Sequence, residues 1–386
     1  MAKKRKTPLI GIIFDYNSGW MGGTYYILNL LNAIATLPVI EQPAIVIYGE
    51  KKEGFNLVQK EIQLRSIHYK RVTNIYTNKL IVLLNKMARR LRGINLFQKG
   101  PSSKREVIFP SPVSSFFKDA PHRLFWIPDF QEKYYPQFFS EADISFRQDY
   151  NNELTVKQYP VIFSSNSVLA DFRKFYPGAN NPVFLLPFVV SLPDISDVNF
   201  EMLKEKYSIN TPFFFTPNQF WVHKNHNVIV EAAAIVKTKG YNCEYLFSGK
   251  EFDPRCPEYT QQLKDRMTAL QLKGTIQFLG FLDRRVLLKL MSESIAVIQP
   301  SLFEGWSTVV EDAKALNKTV IASSLPVHIE QMGNKGIYFE ALNANELADR
   351  IIEQLINGKK ITDWSYSEKK AEFGRKFISI VEEILH

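Results

Sequence analysis

Two glutamates bracket a short turn in the segment Gln299-Pro-Ser-Leu-Phe-Glu304-Gly-Trp-Ser-Thr-Val-Val-Glu311-Asp-Ala. A carboxylate repels phosphate but accepts hydrogen bonds from sugar hydroxyls, so the pair suits a ligand that carries both a sugar and a phosphate. The phosphate would be met by the unpaired N–H groups and partial positive charge of a helix N-terminus. The sequence offers one at this point. Ser307 or Thr308 can cap a helix, Glu311 follows at the spacing of a capping box, and Val309, Val310, Ala313 and Leu316 form an apolar face. The apolar runs Ile295 to Gln299 before it and Thr319 to Ala322 after it read as buried parallel strands. In an open α/β sheet, ligands gather beyond the carboxyl ends of such strands. The plainer alternative is a capped helix with no ligand at all.

Similar runs fill the rest of the chain. Leu9 to Phe14, Ala44 to Tyr48, Val107 to Phe109, His122 to Ile127, Pro160 to Ser165 and Phe184 to Pro187 form a first series of strands. Phe213 to Thr216, Glu244 to Ser248, Thr275 to Leu279, Ile295 to Gln299, Thr319 to Ala322 and Gly336 to Phe339 form a second. Helical or irregular sequence separates them, which implies parallel sheets and an α/β fold. Val190 to Val198, rich in Pro, Ser and Asp, reads as a linker between the series. The expected architecture is two Rossmann-like domains facing each other across a cleft, residues 1–192 and 193–370, with a C-terminal helix over 371–386 crossing back to the first domain.

With 386 residues, 45% of them hydrophobic, the chain excludes disordered and collagen-like classes. The net charge of +9 fits anionic partners without choosing among phosphorylated small molecules, lipid and nucleic acid. Cys243 and Cys256 form no disulfide framework and no metal-ligand spacing, so a reducing, cytoplasmic compartment is expected. Leu9 to Phe14 is too short for the apolar core of a signal peptide, and no run is long enough to span a membrane.

Taken together, these motifs resemble the family-four retaining glycosyltransferases, which have the GT-B architecture. The resemblance covers nearly the whole chain and is strongest over Gln299 to Ala322. In that family seven residues usually separate the two glutamates, whereas six lie between Glu304 and Glu311. The resemblance implies a nucleotide diphosphosugar as co-substrate, with no further cofactor. Glu304 would hold the transferred sugar and Glu311 the ribose hydroxyls, while Gly305 and the backbone N–H groups of Trp306, Ser307 and Thr308 face sugar and phosphates. After the first strand of the second domain, where relatives place an arginine and then a lysine on the diphosphate, this chain has Gln219 and Lys224. An amide donates hydrogen bonds but no charge, which leaves more of the neutralisation to Lys224. Gly249, Phe281 and Leu282 match positions around the donor and its base, with strand-end packing as the alternative for the last two. Gly22 and Gly23 match a glycine loop through which backbone approaches the donor phosphate. Asp129 follows a strand where relatives carry His-Asp, the histidine here being Pro128. It is expected to face the acceptor and to be catalytic with Glu304 and Lys224. Arg147 and Ser164 to Asp171 also match, in structural roles.

In the segment from Asn78 to Arg92, Leu80, Leu84, Met87 and Leu91 share a helical face, opposed by Lys79, Lys86, Arg89, Arg90 and Arg92. Such a helix either lies in an anionic bilayer interface on the inner face of the membrane or packs on the core with a solvated basic side. His223 and His226 lack cysteine or carboxylate neighbours, and no Asp-x-Asp pair is present, so a metal-independent transfer is expected. The resulting reading is a retaining glycosyltransferase acting on a hydroxyl of a cell-surface glycan or lipid-linked saccharide. A nucleotide-sugar epimerase or hydrolase on the same fold, and a non-catalytic protein binding membrane or nucleic acid, are the rivals. Nucleic acid is the least favoured partner.

Overall fold

A computed structural model describes residues 8–17, 21–72, 83–84, 86–88, 90, 103, 105–112, 117, 120–358, 361–366 and 368–386. The N-terminal sheet contains β1 (Leu9–Ile13), β2 (Ala44–Gly49), β3 (Ile67–Arg71), β4 (Glu106–Phe109) and β5 (His122–Arg123). They are all parallel, in the order β3-β2-β1-β4-β5. A smaller parallel sheet follows, with β6 (Phe125–Ile127), β7 (Val161–Phe163) and β8 (Val183–Leu185) in sequence order.

The apolar run His122 to Ile127, read as one strand, is divided at Leu124. The Leu124 N–H bonds back to Ile108, whereas the next amide, Phe125, bonds to Pro160. The chain thus leaves β4 for β7 within one residue. β3 was absent from the sequence reading, because Ile-His-Tyr-Lys-Arg is a half-exposed edge strand with little apolar content.

The second series forms one six-stranded parallel sheet of β9 (Phe213–Thr216), β10 (Glu244–Phe247), β11 (Ile276–Phe278), β12 (Val297–Gln299), β13 (Val320–Ser323) and β14 (Ile337–Phe339), in the order β11-β10-β9-β12-β13-β14. Phe213, Phe214 and Phe215 are buried on both faces of β9, as covered parallel sheets require. The helix Lys369–Leu385 packs on the helix Met21–Ala35, with Phe377 5.0 Å from Phe109 between ring centroids.

The two halves meet through specific contacts. The Glu330 carboxylate accepts from the backbone N–H of Asn166 (2.8 Å) and Ser167 (3.1 Å) and from Asn166 Nδ2 (3.0 Å). Ser165 Oγ donates to the Gly305 carbonyl at 2.9 Å, and Trp306 Nε1 donates to the Phe188 carbonyl at 3.0 Å. A Cβ at Gly305 would lie 2.0 Å from the Pro128 carbonyl oxygen, so only glycine lets the two backbones approach this closely.

Candidate active site

Between the halves lies a cavity of about 360 Å³ that collects the carboxyl ends of β6, β9, β10 and β12. Its C-terminal wall is built around Glu304. The chain leaves β12 at Gln299, turns, and enters the helix Thr308–Ala315, where Ser307 Oγ caps the N-terminus by accepting from Val310 N–H. One carboxylate oxygen of Glu304, Oε1, accepts from Lys224 Nζ (2.6 Å), Ser301 Oγ (2.7 Å) and Gln299 Nε2 (2.8 Å). Asn218 Nδ2 in turn holds Gln299 Oε1 at 2.9 Å. Burial pushes the Glu304 carboxyl up, but Lys224, His328 and the hydrogen bonds outweigh it, and its pKa falls below the usual range. Glu304 is therefore ionised, with Oε2 left for a ligand in the cleft.

Lys224 arrives on a short helical turn, Val222–Lys224, fixed by its neighbour Asn225. Asn225 takes a left-handed conformation at φ 55°, and its Nδ2 donates to the carbonyls of Pro300 (3.0 Å) and Ala341 (2.7 Å). Gln219 lines the cleft with Oε1 accepting from Lys250 N–H at 2.9 Å, which leaves its amide N–H groups for a ligand. Gly249 packs against the loop after β9, where a Cβ would meet the Asn218 carbonyl oxygen at 2.2 Å. Phe281, 58% exposed, and Leu282, 7% exposed, both line the cavity.

The structure corrects the expected role of Glu311. It is fully buried and absent from the cavity wall; its Oε1 accepts from Lys314 (2.6 Å) and Gln331 (2.9 Å), and its Oε2 from Tyr366 (2.7 Å). Through Tyr366, which also accepts from Val190 N–H at 2.7 Å, Glu311 ties the helix to the linker between the domains. The next residue, Asp312, reaches the cavity instead. It follows Glu304 with seven intervening residues, and Arg284 holds both of its oxygens. Successive helical residues diverge by about 100°, so two adjacent carboxylates face different surroundings.

Two backbone expectations change as well. Ser307 lines the cavity together with Gly305, Trp306 and Thr308, but its N–H is taken by Gln331 Oε1 at 3.2 Å and is not free for a phosphate. Gly22 and Gly23 form the first turn of the helix Met21–Ala35 rather than a loop. Gly22 lines the cleft, and Gly23 is buried beneath it.

The N-terminal wall carries Asp129, whose Oδ1 accepts from Gln131 N–H (3.1 Å) and from Arg147 Nη1 (3.2 Å). Arg147 also pairs with the buried Glu132 at 3.2 Å, and burial raises the Glu132 pKa despite that partner. Arg255, Arg284 and Asp312 also face the cavity and were missed in the sequence. Counting to the seventh intervening residue would have found Asp312; no spacing points to Arg255. Lys79, Arg89 and Arg92 lie outside the described residues, while Lys86 and Arg90 are exposed and Leu84 is half-buried.

Paired α/β domains around such a cleft define the GT-B class of fold. Residues 199–371 match the family described as glycosyl transferases group 1. The chain is 26% identical over 213 residues to the O-antigen chain mannosyltransferase RfbU of Salmonella typhimurium, a match covering 55% of each chain. The matched part therefore spans about half the length of this curated relative. A glycosyltransferase from Rickettsia africae superposes with a TM-score of 0.65 at 20% identity, over 98% of this chain and 99% of the other. HepE of Anabaena, in complex with UDP and glucose, superposes with a TM-score of 0.61 at 14% identity, over 98% and 95%.

Proposed function

We propose that this chain is a retaining glycosyltransferase that moves a sugar from a nucleotide diphosphosugar to a hydroxyl of a cell-surface glycan or lipid-linked saccharide. The observation that carries the reading is Glu304, ionised, lining the cavity, with three protein donors on Oε1 and none of these on Oε2. A carboxylate so fixed is a rigid acceptor for sugar hydroxyls, and it stands beside Lys224 and the first turn of the helix Thr308–Ala315. In this reading Asp312 takes the ribose contact expected of Glu311, and Phe281 and Leu282 flank the base. The names of the relatives, an O-antigen mannosyltransferase and a protein complexed with UDP and glucose, support a sugar nucleotide and a glycan acceptor.

In the transfer, the acceptor oxygen bonds to the anomeric carbon as that carbon's bond to the diphosphate breaks on the same face. The proton passes from the acceptor hydroxyl to Asp129 or to the departing phosphate oxygen. Lys224, the N–H groups of Gln219 and the helix terminus stabilise the charge that develops there without a metal ion. A cytoplasmic site of action at an anionic membrane surface belongs to the same reading. Among the described residues, no helix is long and apolar enough to cross a membrane.

A thermal-shift panel of nucleotide sugars, followed by mass spectrometry with candidate acceptors in the presence and absence of EDTA, tests these statements. Transfer that persists with the chelator is expected. Sugar released or epimerised with donor alone, and no transfer to any acceptor, would favour the rival enzyme on this fold.

A further inference from the structure

One end of the cleft, where Arg147 and Arg255 both lie over the ring of Phe139, is furnished with N–H donors. Arg255 reaches it from the loop after β10, with Nε and Nη2 on the two oxygens of buried Asp253 at 2.8 and 3.0 Å. That pairing spends one edge of the guanidinium and leaves Nη1. Arg147 reaches it from the opposite wall and uses Nη1 for both Asp129 and Glu132, which leaves Nε and Nη2. The aromatic rings at this end serve these cations: Arg255 lies over Trp221 at 5.1 Å and Arg147 over Phe139 at 5.0 Å. Ring faces covered by guanidinium are poor platforms for stacking a sugar, but they hold the cations in place.

A further observation points the same way. Gln131 is 8% exposed, lines the cavity, and its Nε2 is buried with no hydrogen-bond partner among the described residues. A buried donor left unpaired is costly, and a bound acceptor oxygen would satisfy it. Across the cleft, His223 has an unpartnered buried Nδ1; burial, Lys224 and Arg255 lower its pKa well below the usual histidine range.

We propose that this end of the cleft is a subsite for an oxyanion carried by the acceptor, a phosphate or a carboxylate, gripped by Arg147 and Arg255 from opposite domains, with Gln131 as a third donor. The carboxylates of Asp129, Glu132 and Asp253 offset the two cations, so selection rests on directed N–H donors rather than on net charge. The subsite requires both domains in their present positions. This inference rests on the glycosyltransferase reading, because it names the class of that reaction's acceptor.

The test titrates the protein, first saturated with the nucleoside diphosphate it binds best, with glucose 6-phosphate, glucuronate and glucose by calorimetry. The phosphate and carboxylate arms separate the two sources of the oxyanion. At least one anionic sugar is expected to bind in preference to glucose. Arg255→Gln is expected to lower its affinity about ten- to a hundredfold, as loss of a charge-assisted hydrogen bond does. Because Arg255→Gln strands the buried Asp253, the paired variant Asp253→Asn with Arg255→Gln removes both charges and should bind the anionic sugar as weakly. Equal affinity for glucose and the anionic sugars, or unchanged anion affinity in the paired variant, would overturn the proposal. If no nucleoside diphosphate binds, the donor reading fails; the sugar titrations on the free protein then still decide whether the anion site exists.

Discussion

The two walls of the cleft are finished to different degrees. On the C-terminal wall, Glu304 Oε1 receives three protein donors, Asp312 is held by Arg284, and Ser307 is held on both its N–H and its carbonyl by Gln331. On the N-terminal wall, Asp129 keeps one oxygen open and Gln131 Nε2 has no partner. The C-terminal wall fixes its carboxylates through several donors while Glu304 Oε2 and the Gln219 amide N–H groups stay open for a ligand, so reaction there needs little rearrangement. A wall with spare donors leaves part of its hydrogen bonding to the ligand. The contrast fits a fixed donor on one side and a particular acceptor on the other.

The comparison breaks first at Asp129. Its replacement by asparagine keeps the shape and removes the base, so turnover should fall by about 10²- to 10⁴-fold while donor affinity changes little. Steady-state kinetics with the true acceptor would show this, and a rate near that of the wild type would return Asp129 to its role as partner of Arg147. Next in size is Glu311→Ala, which leaves Lys314 buried and unpaired and should cost about 3–5 kcal/mol of stability in urea titrations. Because Glu311 lies off the cavity, nucleotide affinity in the folded variant should stay close to that of the wild type. Asp312→Asn should weaken the nucleotide, since Asp312 lines the cavity, and should also lower stability because Arg284 loses its carboxylate partner.

Lys224→Ala comes third. Calorimetry should register a loss of about 1.5–3 kcal/mol in nucleotide-sugar binding, and unchanged affinity would move the diphosphate elsewhere in the cleft.

The last effect is read by pH rather than by mutation: a slope common to three histidines. Burial lowers the pKa of His223, His226 (to about 3) and His328, so the unfolded chain takes up these protons before the folded one does. Stability is therefore complete above about pH 6.5 and declines as pH falls, each histidine contributing up to about 1.4 kcal/mol per pH unit. Denaturation midpoints that stay flat between pH 6.5 and 5 would contradict this.

Much of this architecture was legible because its signals are local. The βα alternation and the Ser307 cap declare themselves within a few residues. Lys224 and Glu304 were assigned to one site from patterns 80 positions apart, and the fold brings them to 2.6 Å. Local signals could not say that Glu311 turns away from the cleft and Asp312 toward it, since helix rotation is set by what packs around it. Nor could the run from His122 to Ile127 reveal its change of partner at Leu124, because both sheets ask for the same apolar residues. Arg255 comes from an irregular loop, and its place in the cleft depends on Asp253, Trp221 and Phe139 meeting in three dimensions.

Glu330 and Gln331 are consecutive on one short helix, and they grip different things. Glu330 reaches across to the backbone at Asn166 and Ser167, while Gln331 clasps Ser307 and Glu311. A single peptide unit therefore gears the spacing of the two domains to the posture of the loop that carries Glu304. A change in the spacing of the halves is therefore transmitted through this helix to the loop that carries Glu304, so the width of the cleft and the posture of that loop are set together.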